Sequence, residues 1–251
     1  MKNPSNFDPS RFPRRLNLGC GSDYRDGYLN IDLNAWYRCD LVADIRRLDF
    51  LPSQYYQELV AQDVLEHLPR AETLRTLVNW NRVVRTGGTL MVRVPSILGI
   101  AKQLESPENQ TPQAQEELIQ CLFGTQAYTG DFHFTSFTEV LLEHYLAQAG
   151  FTLRKLDLLH GSFFDAWSEK TTHIESPSPR GHERLLAIAD DEAFIQACYL
   201  ELLQREADPG GLDFYRNGLR GGGMKRQVVI DSMLGGPEYR ALQERAGRAG
   251  T

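Results

Sequence analysis

The sequence predicts an α/β protein, a domain built on a mainly parallel β-sheet followed by a small all-helical module. Three observations predict it. Short apolar, β-rich runs alternate with helical runs as far as about residue 189, which is the rhythm of βαβ units. The first run passes directly into a glycine turn, Gly19-Cys20-Gly21, of the kind that lets backbone approach a ligand closely. From Asp190 onward no convincing strand remains, and apolar residues recur at helical spacing.

In chain order, the strand candidates are "RLNLG" (15–19), "GYLNIDL" (27–33), "DLVADI" (40–45), "YQELVAQDVL" (56–65) and "TLMVRVP" (89–95). After Pro69, residues Leu74, Leu77, Val78, Val83 and Val84 fall at helical spacing, with Gly87-Gly88 as the expected stop. Residues 100–130 break the rhythm. "ESPENQTPQAQEE" is polar, carries two prolines and reads as loop, and an aromatic, glycine-bearing stretch follows it. Residues 100–135 are therefore expected to form an insertion or lid on the acceptor side, hinged at Gly124 and Gly130. "SFTEVLLEHYLAQAGF" (136–151) predicts a helix capped by Ser136 or Thr138 and stopped by Gly150. "FTLRKLDLL" (151–159) predicts a strand with "HERLLAIA" (182–189) as its partner. Beyond a boundary near 189, three helical faces follow: Ile195, Tyr199, Leu202 and Leu203; then Leu212, Tyr215 and Leu219; then Val229, Met233 and Leu234.

The chain has 251 residues and a net charge of −6. An acidic chain is a poor match for a polyanion, so nucleic acid is not an expected partner. No stretch approaches the roughly 20 apolar residues of a membrane span. The N-terminus lacks a signal-type apolar core. Cys20, Cys39, Cys121 and Cys198 are scattered without metal-ligand spacing and read as reduced thiols of a cytoplasmic protein. No metal set is expected. Cys20 reads as a small residue filling a tight turn, since no base stands beside it in sequence.

The glycine turn narrows the ligand. A dinucleotide site has G-x-G-x-x-G with an acid about 20 residues on, and places its pyrophosphate on a helix N-terminus. Here the third glycine is missing and Asp32 follows Gly21 by eleven residues, which leaves no room for a full helix. S-adenosylmethionine carries no phosphate and needs the glycines only for close backbone approach. Asp32 is then expected to accept from the ribose hydroxyls, with Leu33 beside it. Asp44 is expected at the adenine amino group, with Ile45 at the adenine edge.

The ordered set Gly19, Gly21, Asp32, Asp44 and "DVLEHLP" (63–69) resembles the class I S-adenosylmethionine-dependent methyltransferases. Within them it resembles a subgroup associated with bacterial polysaccharide and glycan biosynthesis, which has a contracted loop in place of the first helix and a late "DFHF … AGF" segment. The resemblance covers about residues 14–189. It implies a Rossmann-like, doubly wound, seven-stranded sheet, mainly parallel, with the last strand antiparallel. It also implies a cofactor site at Asn17, Gly19, Cys20, Gly21, Asp32, Leu33, Asp44, Ile45, Gln62 and Asp63. Asn17 departs from the acid found there in the family. The tail, with Phe194, Tyr199, Leu202, Leu203, Arg205, Asp208, Pro209, Gly211, Tyr215, Leu219 and Gly222, resembles a second family without assigned function. A docking or spacer role for a protein partner is inferred for it.

Methyl transfer to a hydroxyl needs alignment and a base near the methyl group. The candidates are Asp63 and His67 after the fourth strand, and Asp131 and His133 in the insertion. Their bland alternatives are a helix cap for Asp63, packing that holds the strand-to-helix turn for His67, and a structural hydrogen bond for His133. Glu66 reads as a solvated or loop-bracing acid. The acceptor is expected to be a sugar or glycan-related small molecule. A nicotinamide oxidoreductase is disfavoured by the missing glycine. A base-modifying methyltransferase is disfavoured because "QDVL" stands where an Asn/Asp-Pro-Pro-aromatic tetrad would be. The alternative from another class is a non-catalytic scaffold working through its helical tail.

Overall fold

The computed structural model describes residues 7–128, 130–174, 183–239 and 241–242. The chain divides into two compact units, Met1–Ser176 and Pro177–Thr251.

The N-terminal unit is built on β1 (Arg15–Leu18), β2 (Leu29–Asp32), β3 (Leu41–Val42), β4 (Tyr56–Gln62), β5 (Val84–Pro95), β6 (Phe151–Leu159) and β7 (Phe163–Lys170). They form one seven-stranded sheet in the order β3-β2-β1-β4-β5-β7-β6. Strands β1 to β5 run parallel, and β7 lies antiparallel between β5 and β6. This is a Rossmann-like doubly wound sheet. The strand order reverses its direction of winding between β1 and β4, and ligands of such sheets bind at the carboxyl ends of the strands at that reversal. β2 is buried along its whole length, Asn30 and Asp32 included, as befits an interior parallel strand.

Helix α1 (Arg70–Val83) buries Leu77, Val78, Trp80 and Val83, and the Trp80 indole donates to the Ile45 carbonyl at 3.0 Å. It stops short of the expected Gly87-Gly88. Val84 turns to extended backbone and opens β5. The two glycines lie instead where the β4–β5 register shifts, between the Tyr56–Val84 and Glu58–Thr89 pairs. A Cβ on Gly88 would come within 2.9 Å of the Gln57 carbonyl, so the glycine serves a close strand approach.

The polar stretch 105–117, expected as loop, is helical in part, with a 3-10 turn at Pro107–Asn109 and α-helix from Pro112. Helices α2 (Ile97–Glu105) and α3 (Pro112–Phe123) are joined by a short 3-10 turn. Thr111 caps α3 by accepting from the Ala114 N–H, and Pro112 occupies its first turn, a position where proline starts a helix. Helix α4 (Glu139–Gln148) carries the expected Thr138 cap, and Gly150 follows in the left-handed region.

β6 does not pair with residues 182–189. Its partner is β7, reached through a tight turn in which His160 and Gly161 both have positive φ and the Ser162 N–H bonds the Leu159 carbonyl at 3.0 Å. Such a turn matches the twist of a hairpin. Residues Glu183–Leu186 are helical (α5), and residue 182 lies outside the described residues.

The C-terminal unit adds α6 (Asp191–Leu203), α7 (Pro209–Arg220) and α8 (Arg226–Leu234) to α5. Its core holds Leu185 together with Phe194, Ile195, Cys198, Val229, Ile230 and Met233. The division therefore falls ahead of residue 189, because Leu185 belongs to the helical core.

Candidate functional site

β1 ends in the Gly19-Cys20-Gly21 turn, with φ +62° at Gly19 and +49° at Gly21. The Gly19 and Cys20 N–H groups both donate to the Ile31 carbonyl, at 2.8 and 3.2 Å. A Cβ on Gly19 would meet Val64 at 2.4 Å, whereas one on Gly21 would meet nothing within 4 Å. The first glycine thus admits the β4 end against the turn, and the second opens onto free space. Cys20 is buried; burial first, then Asp32, pushes its thiol pKa up to about 12. It packs as a small residue in the turn, and burial of this kind keeps a thiol protonated.

Asp32 lies at the tip of β2, 6% exposed. One carboxylate oxygen accepts from the Gly21 N–H at 2.8 Å and the other from the Asn34 N–H at 2.7 Å. Backbone donors hold the carboxylate in place and leave lone pairs on both oxygens. Leu33 and Trp36 beyond it are exposed at 63% and 76%, apolar surface at the lip of the strand ends.

No helix forms between β1 and β2. The contracted loop is held by a polar cluster that sequence reasoning missed. Asn17, 2% exposed, donates its amide to the Asp23 carbonyl at 2.6 Å and to Asn30 Oδ1 at 3.0 Å. Asn30 Oδ1 also accepts from the Arg25 N–H at 2.8 Å, and Asn30 N–H donates to Asp40 at 2.8 Å. Tyr24 donates to the other Asp40 oxygen at 3.0 Å. Arg25 reaches Gln62 Oε1, so Gln62 braces this loop. The only signal in the sequence was the spacing of short polar residues inside apolar strands.

Asp44 does not stand free for an adenine amino group. Arg46 grips it through its guanidinium at 2.7 Å and its own N–H at 2.9 Å, and also bridges to Glu72 at 2.7 Å. Burial would raise the Asp44 pKa, but the Arg46 bonds outweigh it and hold the carboxyl below its usual value. Ile45 is buried with its carbonyl taken by Trp80.

At the β4 end, Asp63 has φ +54°, an uncommon conformation for a non-glycine residue and one concentrated at functional sites. Its N–H donates to the Arg93 carbonyl at 3.2 Å. It does not cap α1, whose N-cap position is Pro69 without a side-chain bond. Asp63 is exposed, yet the protein around it raises its carboxyl pKa, opposed by Arg93 and reinforced by Asp165.

A 3-10 turn, Leu65–His67, follows. Glu66 is not solvated: it is fully buried and neither carboxylate oxygen has a hydrogen-bond partner. Desolvation raises its pKa well above the usual value. Its backbone does brace the loop, since the Glu66 carbonyl accepts from the Phe134 N–H at 2.7 Å. That bond brings in His133, whose ring meets His67 edge-on with centroids 4.6 Å apart. His133 Nδ1 lies 3.1 Å from the Cys121 carbonyl. Burial, then the neighbouring His67, lowers the His133 pKa. Asp131 turns away to the Thr125 hydroxyl within its own loop. That loop also carries exposed aromatics, Tyr128, Phe132 and Phe134. The structure thus brings Glu66, His67 and His133 together, seats Val64, next in sequence to Asp63, against the glycine turn, and separates out Asn17, Asp44 and Asp131.

Residues 178–243 match the family described as domain of unknown function DUF4214. No curated protein matches the chain. Among solved structures, a possible exported protein from Bordetella parapertussis is 17% identical, with 64% of this chain and 63% of that one covered and a TM-score of 0.45. This chain thus spans less than two thirds of that protein's length. The Burkholderia thailandensis 1,6-didemethyltoxoflavin-N1-methyltransferase, with bound S-adenosylhomocysteine, is 15% identical over 63% of this chain and 71% of its own, with a TM-score of 0.42. An S-adenosylmethionine-dependent methyltransferase from Mesorhizobium loti is 13% identical over 63% and 91%, with a TM-score of 0.45. Among the described residues, no helix is long and apolar enough to cross a membrane.

Proposed function

We propose that the N-terminal unit is an S-adenosylmethionine-dependent methyltransferase that O-methylates a sugar or glycan-related small molecule. The observation that carries the reading is Asp32. It is a buried carboxylate locked to the Gly21 N–H at 2.8 Å, at the strand-end reversal, with no helix N-terminus between β1 and β2 to receive a phosphate. That combination suits an adenosyl group without a pyrophosphate. When bound, the cofactor supplies a methyl group on a positively charged sulfur. Asp32 would accept from the two ribose hydroxyls through its remaining lone pairs, the glycines would allow backbone contact, and Leu33 would face the adenine. Asp63 sits next to Val64, which packs on Gly19, and takes the proton of the acceptor hydroxyl. The exposed rings of Tyr128, Phe132 and Phe134 offer flat faces for a sugar. The helical unit serves as a docking or spacer element.

The scaffold reading draws support from Asp44, since its bond to Arg46 removes an acid from the adenine side. Calorimetry decides between the two. S-adenosylhomocysteine is expected to bind the wild type, and Asp32→Ala to weaken it by roughly 1.5–3 kcal/mol, the scale of bonds to a charged group. NAD is expected not to bind. No measurable cofactor affinity in the wild type removes the enzyme reading. Asp63→Asn is expected to lower turnover by about 10²–10⁴-fold with cofactor affinity unchanged, read by transfer of a labelled methyl group to candidate sugars.

A further inference from the structure

The turn after β4 and the segment leading into α4 bring together three groups that proton transfer alone does not explain. Glu66, His67 and His133 each present a ligand atom, and these atoms all lie within 4.8 Å of one another. Glu66 is 0% exposed and both its oxygens lack a partner; His67 Nδ1 is buried and lacks one too. A buried, unpaired carboxylate is among the costliest arrangements a fold can hold. Direct bonding between Glu66 and His67 would relieve it, yet no such bond is made, although the groups share one turn. They do not bond each other, yet they lie close enough to share an ion.

We propose that Glu66, His67 and His133 form a binding site for a divalent first-row transition-metal ion, with Zn²⁺ the species whose ligand preferences they match best.

The chemistry of the three donors selects the metal. Two imidazoles and one carboxylate suit Zn²⁺, whereas Mg²⁺ and Ca²⁺ prefer all-oxygen sets. The tautomer of His133 is already set. The Cys121 carbonyl can only accept, so Nδ1, 3.1 Å away, carries the proton and Nε2 keeps its lone pair. An outer hydrogen bond of this kind orients a ligating histidine. The loop is fixed as well: the Phe134 and Thr135 N–H groups donate to the Glu66 carbonyl at 2.7 and 3.3 Å, which ties the third ligand to the first two. Zn–ligand bonds near 2.0–2.1 Å at tetrahedral angles place ligands about 3.3 Å apart, so small side-chain rotations close the set. The group contains no fourth His, Cys, Asp or Glu among the described residues, which leaves a position for water or a substrate oxygen. An oxygen bound there loses its proton more readily. The proposal does not rest on the methyl-transfer reading.

The test uses the full chain, stripped with a chelator under reducing conditions and titrated with Zn²⁺ or Co²⁺, with bound metal counted by mass spectrometry. One Zn²⁺ per chain is expected, as are visible Co²⁺ absorption bands that Zn²⁺ abolishes. Glu66→Gln and His133→Ala, checked as folded by circular dichroism, are expected to lower Zn²⁺ affinity by at least about 100-fold, since even outer-sphere changes cost 10–100-fold. His144→Ala and His160→Ala are expected to bind as the wild type does. The proposal is overturned if the wild type shows no Co²⁺ bands, if Glu66→Gln and His133→Ala bind Zn²⁺ like the wild type, or if affinity falls in the His144 or His160 variants instead. Should His133→Ala unfold, Glu66→Gln, which keeps the shape of the side chain, carries the test alone.

Discussion

At the scale of single residues, Asn17 shows why a family pattern must be read through hydrogen-bond chemistry. Its amide donates twice, to a carbonyl and to Asn30 Oδ1. A carboxylate has no proton to give, so an acid here would face two acceptors in a buried site. Asn17→Asp is therefore expected to destabilise the N-terminal unit by on the order of 2–4 kcal/mol and to weaken cofactor binding with it. Tighter binding in a stably folded Asn17→Asp protein would show that position 17 serves the ligand instead. Lys170 makes a second residue-level case. It is fully buried, donates to the Asn81 and Val84 carbonyls at 2.6 and 2.8 Å, and burial lowers its pKa from 10.5 to about 8. The folded state thus releases this proton before the unfolded chain does. Below pH 8 both states are charged and the fold carries the full penalty; between about 8 and 10.5 the penalty fades and stability rises with pH. Lys170→Met lacks the charge. The stability of wild type relative to this variant is expected to rise by up to about 3 kcal/mol from pH 7.5 to 10.5, measured by urea unfolding. A pH-independent difference would mean the ammonium is better solvated than its burial implies.

At the scale of elements, α7 begins under a steric constraint that explains the Asp-Pro-Gly-Gly stretch. Asp208 caps the helix through the Gly211 N–H at 2.8 Å, Pro209 opens it, and a Cβ on Gly211 would lie 2.0 Å from the Tyr199 hydroxyl of α6. Gly211→Ala is expected to destabilise the helical unit by about 1–3 kcal/mol, the usual cost of overpacking. Tyr199→Phe should recover much of it by removing the hydroxyl, so the two changes are expected to be non-additive in a double-mutant cycle. Strict additivity would place the effect of Gly211 in its backbone alone. Legibility in the sequence varied by element for physical reasons. β1 to β5 could be read because interior parallel strands are short apolar runs bounded by turn residues. β7 could not, because its buried positions include Asp165, Ser168 and Lys170. Two of these are satisfied by distant partners, Asp165 by Arg93 at 2.7 Å and Lys170 by carbonyls near the end of α1. The first turns of α3 were hidden by their polar composition, although Thr111-Pro112 was a start signal in plain view. Within the site, the glycine turn and Asp32 were readable from spacing. The burial of Glu66 was not, since nothing local distinguishes a buried Glu in "LEHL" from a solvated one.

At the scale of the whole molecule, the two units have separate hydrophobic cores. One is centred on residues such as Leu16, Ile31, Trp80 and Phe151, the other on Phe194, Cys198, Val229 and Met233. The core that Leu185 joins decides where the chain can be cut. A fragment ending at residue 189 would keep α5 and strip Leu185, 1% exposed in the full chain, of the helices that cover it. A fragment ending at residue 176 would keep every strand of the sheet and leave no such apolar remnant. Residues 1–176 are therefore expected to fold, stay monomeric and bind S-adenosylhomocysteine as the full chain does, whereas 1–189 should aggregate more readily. Separate cores also predict separate melting. The full chain is expected to unfold in two calorimetric transitions, the smaller helical unit with the smaller enthalpy. Gly211→Ala should lower the midpoint of that transition alone, and S-adenosylhomocysteine should raise only the other. A single transition that both the substitution and the ligand displace would mean that the two cores unfold as one cooperative body. In that case the boundary at residue 176 would mark a division of packing and not of stability.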